Sequence, residues 1–227
     1  MSKLILIRHG QSIWNAENRF TGWVDVDLSE TGILEAKKSG QLIKSLKINI
    51  DKSYTSFLKR AIKTLEVILH ENNLKQDLNT SWEVNERHYG SLTGLNKEET
   101  KKKIGEEQFK KYRRSWNIAP PSMSKNDENK LLFSPLNTNI PKDKLPDTES
   151  LKDTYHRVVP FYEKRIKPDL LNNKNILIVC FNISALSKDI KFVRDFFRLS
   201  SYMSIKKIIE NKKYNPPIHC IEDLHKI

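Results

Sequence analysis

The run Leu4-Ile5-Leu6-Ile7 is wholly apolar and stops on Arg8, His9 and Gly10. A strand with no polar alternation is buried on both faces, which is the condition of a parallel sheet covered by helices above and below. A second such strand is predicted over Asn175 to Val179. In open sheets of this kind ligands bind at the carboxyl ends of the strands, which is where Arg8 and His9 stand.

The rest of the chain reads as the alternation that such a sheet needs. A short helix is predicted over Ser12 to Glu17 and a loop over Arg19 to Trp23. A longer helix is predicted from Ile33 to Leu46, with Ser29 as its N-cap and Leu34, Leu42, Ile43 and Leu46 near helical spacing. A strand over Lys52 to Ser56 leads into a helix over Lys59 to Glu71. A polar loop follows over Asn85 to Gly94, then a lysine-rich helix from Lys97 to about Tyr112. The stretch from Pro120 to Pro146 holds five prolines and is read as a long excursion that covers something, a candidate lid. Glu149 to Asp169 is read as helical. With 227 residues the chain suits one α/β domain over residues 1–227.

The formal net charge is +12. Lysines outnumber arginines and are scattered among asparagines and isoleucines, so the charge reads as composition bias, and no nucleic-acid partner is expected. An excess of cations favours small anionic substrates. Cys180 and Cys220 make no disulfide framework, and both are read as core residues of a protein from a reducing cytoplasm. No run approaches twenty apolar residues and the first residues carry one lysine, so neither a membrane span nor a signal peptide is expected.

Arg-His-Gly alone is a weak signal, since a histidine after a strand is usually packed or solvated. Its company strengthens it. Arg60 also sits where a strand gives way to a helix, Glu86 and Arg87 add a carboxylate beside a cation, and Arg113-Arg114 adds a further pair. A neutral imidazole held at one nitrogen attacks phosphorus with the other, and arginine forks meet the charge that develops on the phosphoryl oxygens. A carboxylate whose pKa is raised toward neutrality serves the proton transfers. These residues are the equipment of phosphoryl transfer without metal ligands.

The segments Leu4–Gly32, Tyr54–Leu65, Trp82–Thr100, Gly105–Trp116 and Leu145–Phe161 carry a close resemblance. Over roughly Lys3 to Val179 the chain resembles the cofactor-dependent phosphoglycerate mutases of the histidine phosphatase superfamily. The resemblance implies a mainly parallel sheet with helices on both faces, His9 as phosphorylated nucleophile, Glu86 as acid and base, and Arg60 beside them as a catalytic cation. It implies that Arg8, Asn15, Thr21, Gly22, Arg87, Tyr89, Lys97, Arg113 and Arg114 hold the phosphates and carboxylate of a three-carbon acid. Gly10, Gln11 and Ser12 would line the site, with His88 structural or adjacent to substrate. It further implies priming by 2,3-bisphosphoglycerate, interconversion of 3- and 2-phosphoglycerate in glycolysis and gluconeogenesis, and a homodimer or homotetramer.

One part of the family pattern is missing. Where the family has a second catalytic histidine followed by glycine, this chain has Phe181 and Asn182, and residues 180–227 diverge. His70, His156, His219 and His225 are the remaining histidines, and a packed or solvated role is the usual reading of each. A mutase, an impaired relative that binds phosphorylated ligands without turnover, and a slow bisphosphoglycerate phosphatase are the three activities compatible with this pattern.

Overall fold

The computed structural model describes residues 2–180 together with 218–221, the latter as backbone. Phe181, Asn182 and His225 therefore lie outside the described residues. The strands are β1 (Leu4–Arg8), β2 (Lys52–Thr55), β3 (Asn79–Thr80), β4 (Ile176–Cys180) and β5 (Ile218–Ile221). The helices are α1 (Ile13–Ala16), α2 (Glu30–Ser45), α3 (Lys59–Glu71), α4 (Lys97–Ile104), α5 (Glu106–Arg114), α6 (Leu151–Phe161) and α7 (Lys167–Leu171).

The sheet has the order β3-β2-β4-β1-β5, and every neighbouring pair is parallel. Its alternating side chains build two cores. Leu4, Leu6, Ile176, Ile178 and Cys180 face α6 and α7, packing on Leu151, Val158, Phe161 and Leu170. Ile5, Ile7, Leu177 and Val179 face the other way onto Ile43, Leu65, Ile68 and Leu69 of α2 and α3. Burial of side chains this size stabilises the fold by about 1.5–3 kcal/mol each. The expected α/β domain with helices on both faces is thus the observed one, and no helix among the described residues is long and apolar enough to cross a membrane.

Two expectations are corrected. The lysine-rich segment is two helices, because Gly105 adopts φ +81° between α4 and α5, a conformation that side-chain-bearing residues rarely take. The second helix begins at Glu30, three residues before Ile33, and its buried face is Gly32, Glu35, Ala36, Ser39, Gly40 and Ile43. Leu34 is 58% exposed. Small residues win that face because α3 lies so close: a Cβ on Gly40 would sit 2.7 Å from that of Glu71.

Close backbone approach also shapes the end of β1. A Cβ on Gly10 would lie 2.3 Å from the carbonyl oxygen of Gly32, and one on Gly32 would lie 2.1 Å from that of Gln11. The first turn of α2 therefore abuts the chain leaving β1. Ser29 caps α2 as expected, accepting from the Gly32 amide at 3.1 Å, and its own amide donates to the Gln11 carbonyl at 2.9 Å. The excursion docks as three short 3-10 turns. It is held by an isolated bridge between Val24 and Phe133, by the Asp25 amide donating to Leu132 at 2.7 Å, and by Ser134 Oγ donating to the Phe57 carbonyl at 2.8 Å.

Candidate active site

The ends of β1 and β2, on either side of β4, bring the first residues together. The His9 amide donates to the Cys180 carbonyl at 3.0 Å, continuing the β1–β4 ladder one residue past the strand. The Thr55 hydroxyl at the end of β2 donates to Val179 at 2.7 Å, and the chain then enters α3, whose second residue is Arg60. No neighbouring side chain caps α3, since Leu58 occupies its N-cap position. Asp25 does so from a distance, its Oδ1 accepting from the Lys59 amide at 2.7 Å. The capping requirement is met by the same loop that lies over the site.

His9 is 6% exposed, and its Nδ1 lies 2.7 Å from the Gly10 carbonyl oxygen. A carbonyl only accepts, so Nδ1 carries the proton and Nε2 holds the lone pair. The second contact agrees: Arg60 Nε donates to Nε2 at 3.3 Å. Arg60 is 0% exposed, and its other donors reach the carbonyls of Val24 at 2.8 Å and Gly22 at 2.7 Å and Glu86 Oε2 at 2.8 Å. Glu86 Oε2 stands 3.9 Å from His9 Nε2. Imidazole, guanidinium and carboxylate thus form one cluster, with the unprotonated nitrogen between two charged partners.

Burial drives the His9 imidazole below its ordinary range, Glu86 opposes this, and the positive charges of Arg60 and Arg8 add to it. Burial works against the charge of Glu86, but the imidazole beside it and the Arg60 charge and hydrogen bond prevail and hold its carboxyl at about 2. The expected rise toward neutrality is therefore absent with the chain's own groups alone. It requires a further negative charge nearby. Both shifts predict the same acid sensitivity. Each folded pKa is depressed below its unfolded value, so each group contributes stability in full above that value and loses it as pH falls. Denaturant midpoints are expected to decline below about pH 6.5 as His9 takes a proton, and again from about pH 4.5 toward 2 as Glu86 does. Asp169, which burial would raise but Lys52 and Lys174 hold at about 2, adds to the same decline. A Glu86→Gln variant should therefore show it reduced, and one whose second decline was as steep as the natural chain's would contradict this assignment.

The remaining cations share one electrostatic field. Burial lowers the Lys97 ammonium, Glu86 opposes, and Arg113 and Arg8 push the same way as burial. Burial likewise lowers the Arg113 guanidinium, with Tyr89 opposing and Arg114 and Arg87 adding. Arg87 is buried, stacks on Tyr89 at 4.8 Å and donates through Nη2 to the Tyr112 carbonyl at 2.8 Å, while its Nη1 has no partner among the described residues. Thr21 Oγ1 is likewise buried without one. Gly22, at φ +55°, presents its carbonyl to Arg60.

Other predicted residues lie at the margins. Ser12 and Asn15 form a capping box on α1, and Gln11 Oε1 accepts from Ser29 Oγ at 2.9 Å. Gly10 donates its amide to Thr64 Oγ1 at 3.1 Å. Arg114 is exposed at the end of α5. His88 is packed between the rings of Trp23 and Phe133, its Nδ1 accepting from the Gly90 amide at 3.0 Å, and burial lowers it to about 4. Sequence reasoning missed Trp23, whose Nε1 donates to the Glu86 carbonyl at 2.7 Å, and the pair Glu149 and Arg157 behind it.

This fold and this histidine–arginine cluster define a class whose sequence model, the histidine phosphatase superfamily (branch 1), matches residues 4–131. The chain is 53% identical over 182 residues to a 2,3-bisphosphoglycerate-dependent phosphoglycerate mutase of Pelagibacter ubique, covering 78% of this chain and 75% of that one. It is 46% identical over 200 residues to the mutase of the same name from Bacteroides fragilis, covering 86% and 80%. The chain belongs to the 2,3-bisphosphoglycerate-dependent phosphoglycerate mutase family, a family of isomerases within that superfamily. The crystal structure of a phosphoglycerate mutase from Bacillus anthracis shares the fold, with a TM-score of 0.62 and 20% identity over 84% of this chain and 80% of that one.

Proposed function

We propose that this chain interconverts 3-phosphoglycerate and 2-phosphoglycerate through a phosphohistidine at His9, primed by 2,3-bisphosphoglycerate. The observation that carries the reading is the hydrogen bond from His9 Nδ1 to the Gly10 carbonyl, which leaves Nε2 unprotonated beside Arg60 and Glu86. The unpartnered Arg87 Nη1 and Thr21 Oγ1 fit an oxygen-rich, multiply charged acid. With Arg8, Lys97, Arg113 and Arg114 they would hold its phosphates and carboxylate. When bound, the bisphosphorylated acid supplies the phosphoryl group that loads His9.

The chain's own groups divide the work. The Nε2 lone pair of His9 forms the nitrogen–phosphorus bond as the phosphorus–oxygen bond breaks. Arg60 moves its long 3.3 Å hydrogen bond from that nitrogen to the phosphoryl oxygens. Glu86, raised by the incoming phosphate charge, gives its proton to the departing alkoxide. In the return transfer Glu86 takes the proton of the attacking substrate hydroxyl. A cytoplasmic location and a homodimer or homotetramer belong to the same proposal.

Phe181 supports a second reading in which turnover is impaired, as a phosphate-binding relative or a slow phosphatase. Phenylalanine cannot donate to a phosphoryl oxygen, and one such donor is worth about 10²- to 10³-fold in rate. The deciding experiment measures conversion of 3-phosphoglycerate to 2-phosphoglycerate, with 2,3-bisphosphoglycerate, for the natural chain and its Phe181→His variant. Ordinary turnover that the variant does not improve supports the mutase and removes the lesion. A silent chain that gains activity in the variant marks Phe181 as the defect. Phosphate release from bisphosphoglycerate without interconversion would replace the mutase reading by a phosphatase.

A further inference from the structure

Glu86 is held from two sides. Arg60 grips its carboxylate, and behind the loop a second buried guanidinium, that of Arg157 on α6, grips its backbone. Arg157 is 9% exposed and uses all five of its donors. Nη1 donates to the carbonyls of Glu83 at 2.7 Å and Asn85 at 2.8 Å, and Nη2 to that of Glu86 at 3.1 Å. Its other two bonds form a fork onto Glu149, from Nε to Oε1 at 2.7 Å and from Nη2 to Oε2 at 2.9 Å. Oε2 in turn accepts the His88 amide at 2.7 Å. Three carbonyls and one amide within six residues are thereby tied to a single ion pair between Arg157 on α6 and Glu149 just before it.

We propose that Arg157 and Glu149 are positioning residues, setting the carboxylate of Glu86 against Arg60 and His9 so that it can carry the proton of phosphoryl transfer. The arrangement is more than a packing contact. A lysine would keep the charge but present one nitrogen, which cannot serve carbonyls spaced over four residues and a carboxylate together. Glu149 neutralises the buried guanidinium and orients its fork, so that the remaining three donors face the loop. Trp23 Nε1 adds a second donor to the Glu86 carbonyl at 2.7 Å, which leaves the side chain as the loop's free arm, pointing to Arg60. A small shift of the loop would carry Oε2 away from a contact 3.9 Å from Nε2. Displacement of about 1 Å at a reacting group costs on the order of 10²-fold in rate.

The proton-carrying part of this inference rests on the mutase reading, while the geometric part does not, and the test separates them. Arg157→Lys and Glu149→Gln are compared with Val158→Ala, which thins the core one residue along the same helix. With carbon-13-labelled glutamate, the Glu86 side-chain carboxyl is followed toward acid in each folded protein, and turnover is measured on the same samples. The natural chain and Val158→Ala are expected to keep Glu86 ionised to the lowest pH at which the fold survives. In Arg157→Lys and Glu149→Gln the carboxyl should titrate within the ordinary carboxylate range, kcat should fall about 10²-fold, and KM should change less than about threefold. Glu86 remaining ionised in both clamp variants, or titrating alike in Val158→Ala, overturns the positioning role. If one clamp variant does not fold, the other decides. A natural chain without interconversion refutes the mutase reading and the proton-carrying role with it, and the carboxyl titration still decides the positioning.

Discussion

Replacing His9 by alanine is expected to lower turnover by about 10⁶-fold, the scale on which removal of a covalent nucleophile acts. No described neighbour can substitute. Arg60 is a permanently protonated donor, Glu86 is ionised but committed to Arg60, and His88 is buried between Trp23 and Phe133. The measurement is phosphoryl retention on the chain after incubation with 2,3-bisphosphoglycerate. The natural protein should carry an acid-labile, base-stable phosphoryl group, and the variant none. Stability should fall by about 2 kcal/mol, because the side chain makes two hydrogen bonds, each worth about 1 kcal/mol net. A His9→Ala protein that still takes up the same label would place the nucleophile elsewhere.

Arg60→Ala is expected to damage fold and chemistry together. The guanidinium is wholly buried and satisfies two carbonyls and a carboxylate as well as Nε2 of His9. Its loss leaves the Glu86 carboxylate beside desolvated carbonyls, and breaking a buried pair of this kind costs about 3–5 kcal/mol. In a domain of this size that corresponds to a fall in Tm of roughly 6–20 °C. Arg60→Lys keeps the charge and should recover part of the stability, but a point charge cannot span the four acceptors. Turnover in either variant should fall at least about 10²- to 10³-fold per folded molecule. A lysine variant with natural stability and turnover would show that charge alone suffices and that the fork is incidental.

The strand that leads into His9 was legible because a short run with no polar residue is most comfortable buried on both faces of a sheet. The α3 helix was found to its terminal residues, since its apolar spacing and the preceding strand agreed. Other features were set by neighbours that a linear reading does not see. Leu34 fits a helical stripe yet faces solvent, because the approach of α3 favours glycine, alanine and serine on the buried face. The break at Gly105 was hidden by lysines that propagate helix well on either side. Arg157 and Glu149 carry charges that ordinarily mark a solvated helix face, and only the loop folded onto them gives those charges an interior task. Glu86 was expected to carry a proton from its company, whereas its ionised state in the chain alone follows from a geometry that sequence does not encode locally.

The strand order carries a consequence for the timing of assembly. β1 and β2 never touch, because β4 lies between them. His9 hangs its amide on Cys180 and β2 hangs Thr55 on Val179, so the histidine and arginine sides of the cluster are both suspended from the five residues of β4. A ribosome that has released the first 150 residues has delivered His9, Arg60 and Glu86 without the rail that aligns them. The observed spacing of His9 and Arg60 therefore depends on Ile176–Cys180 filling the gap between β1 and β2, a pairing between segments far apart in sequence, of the kind that is slow to form.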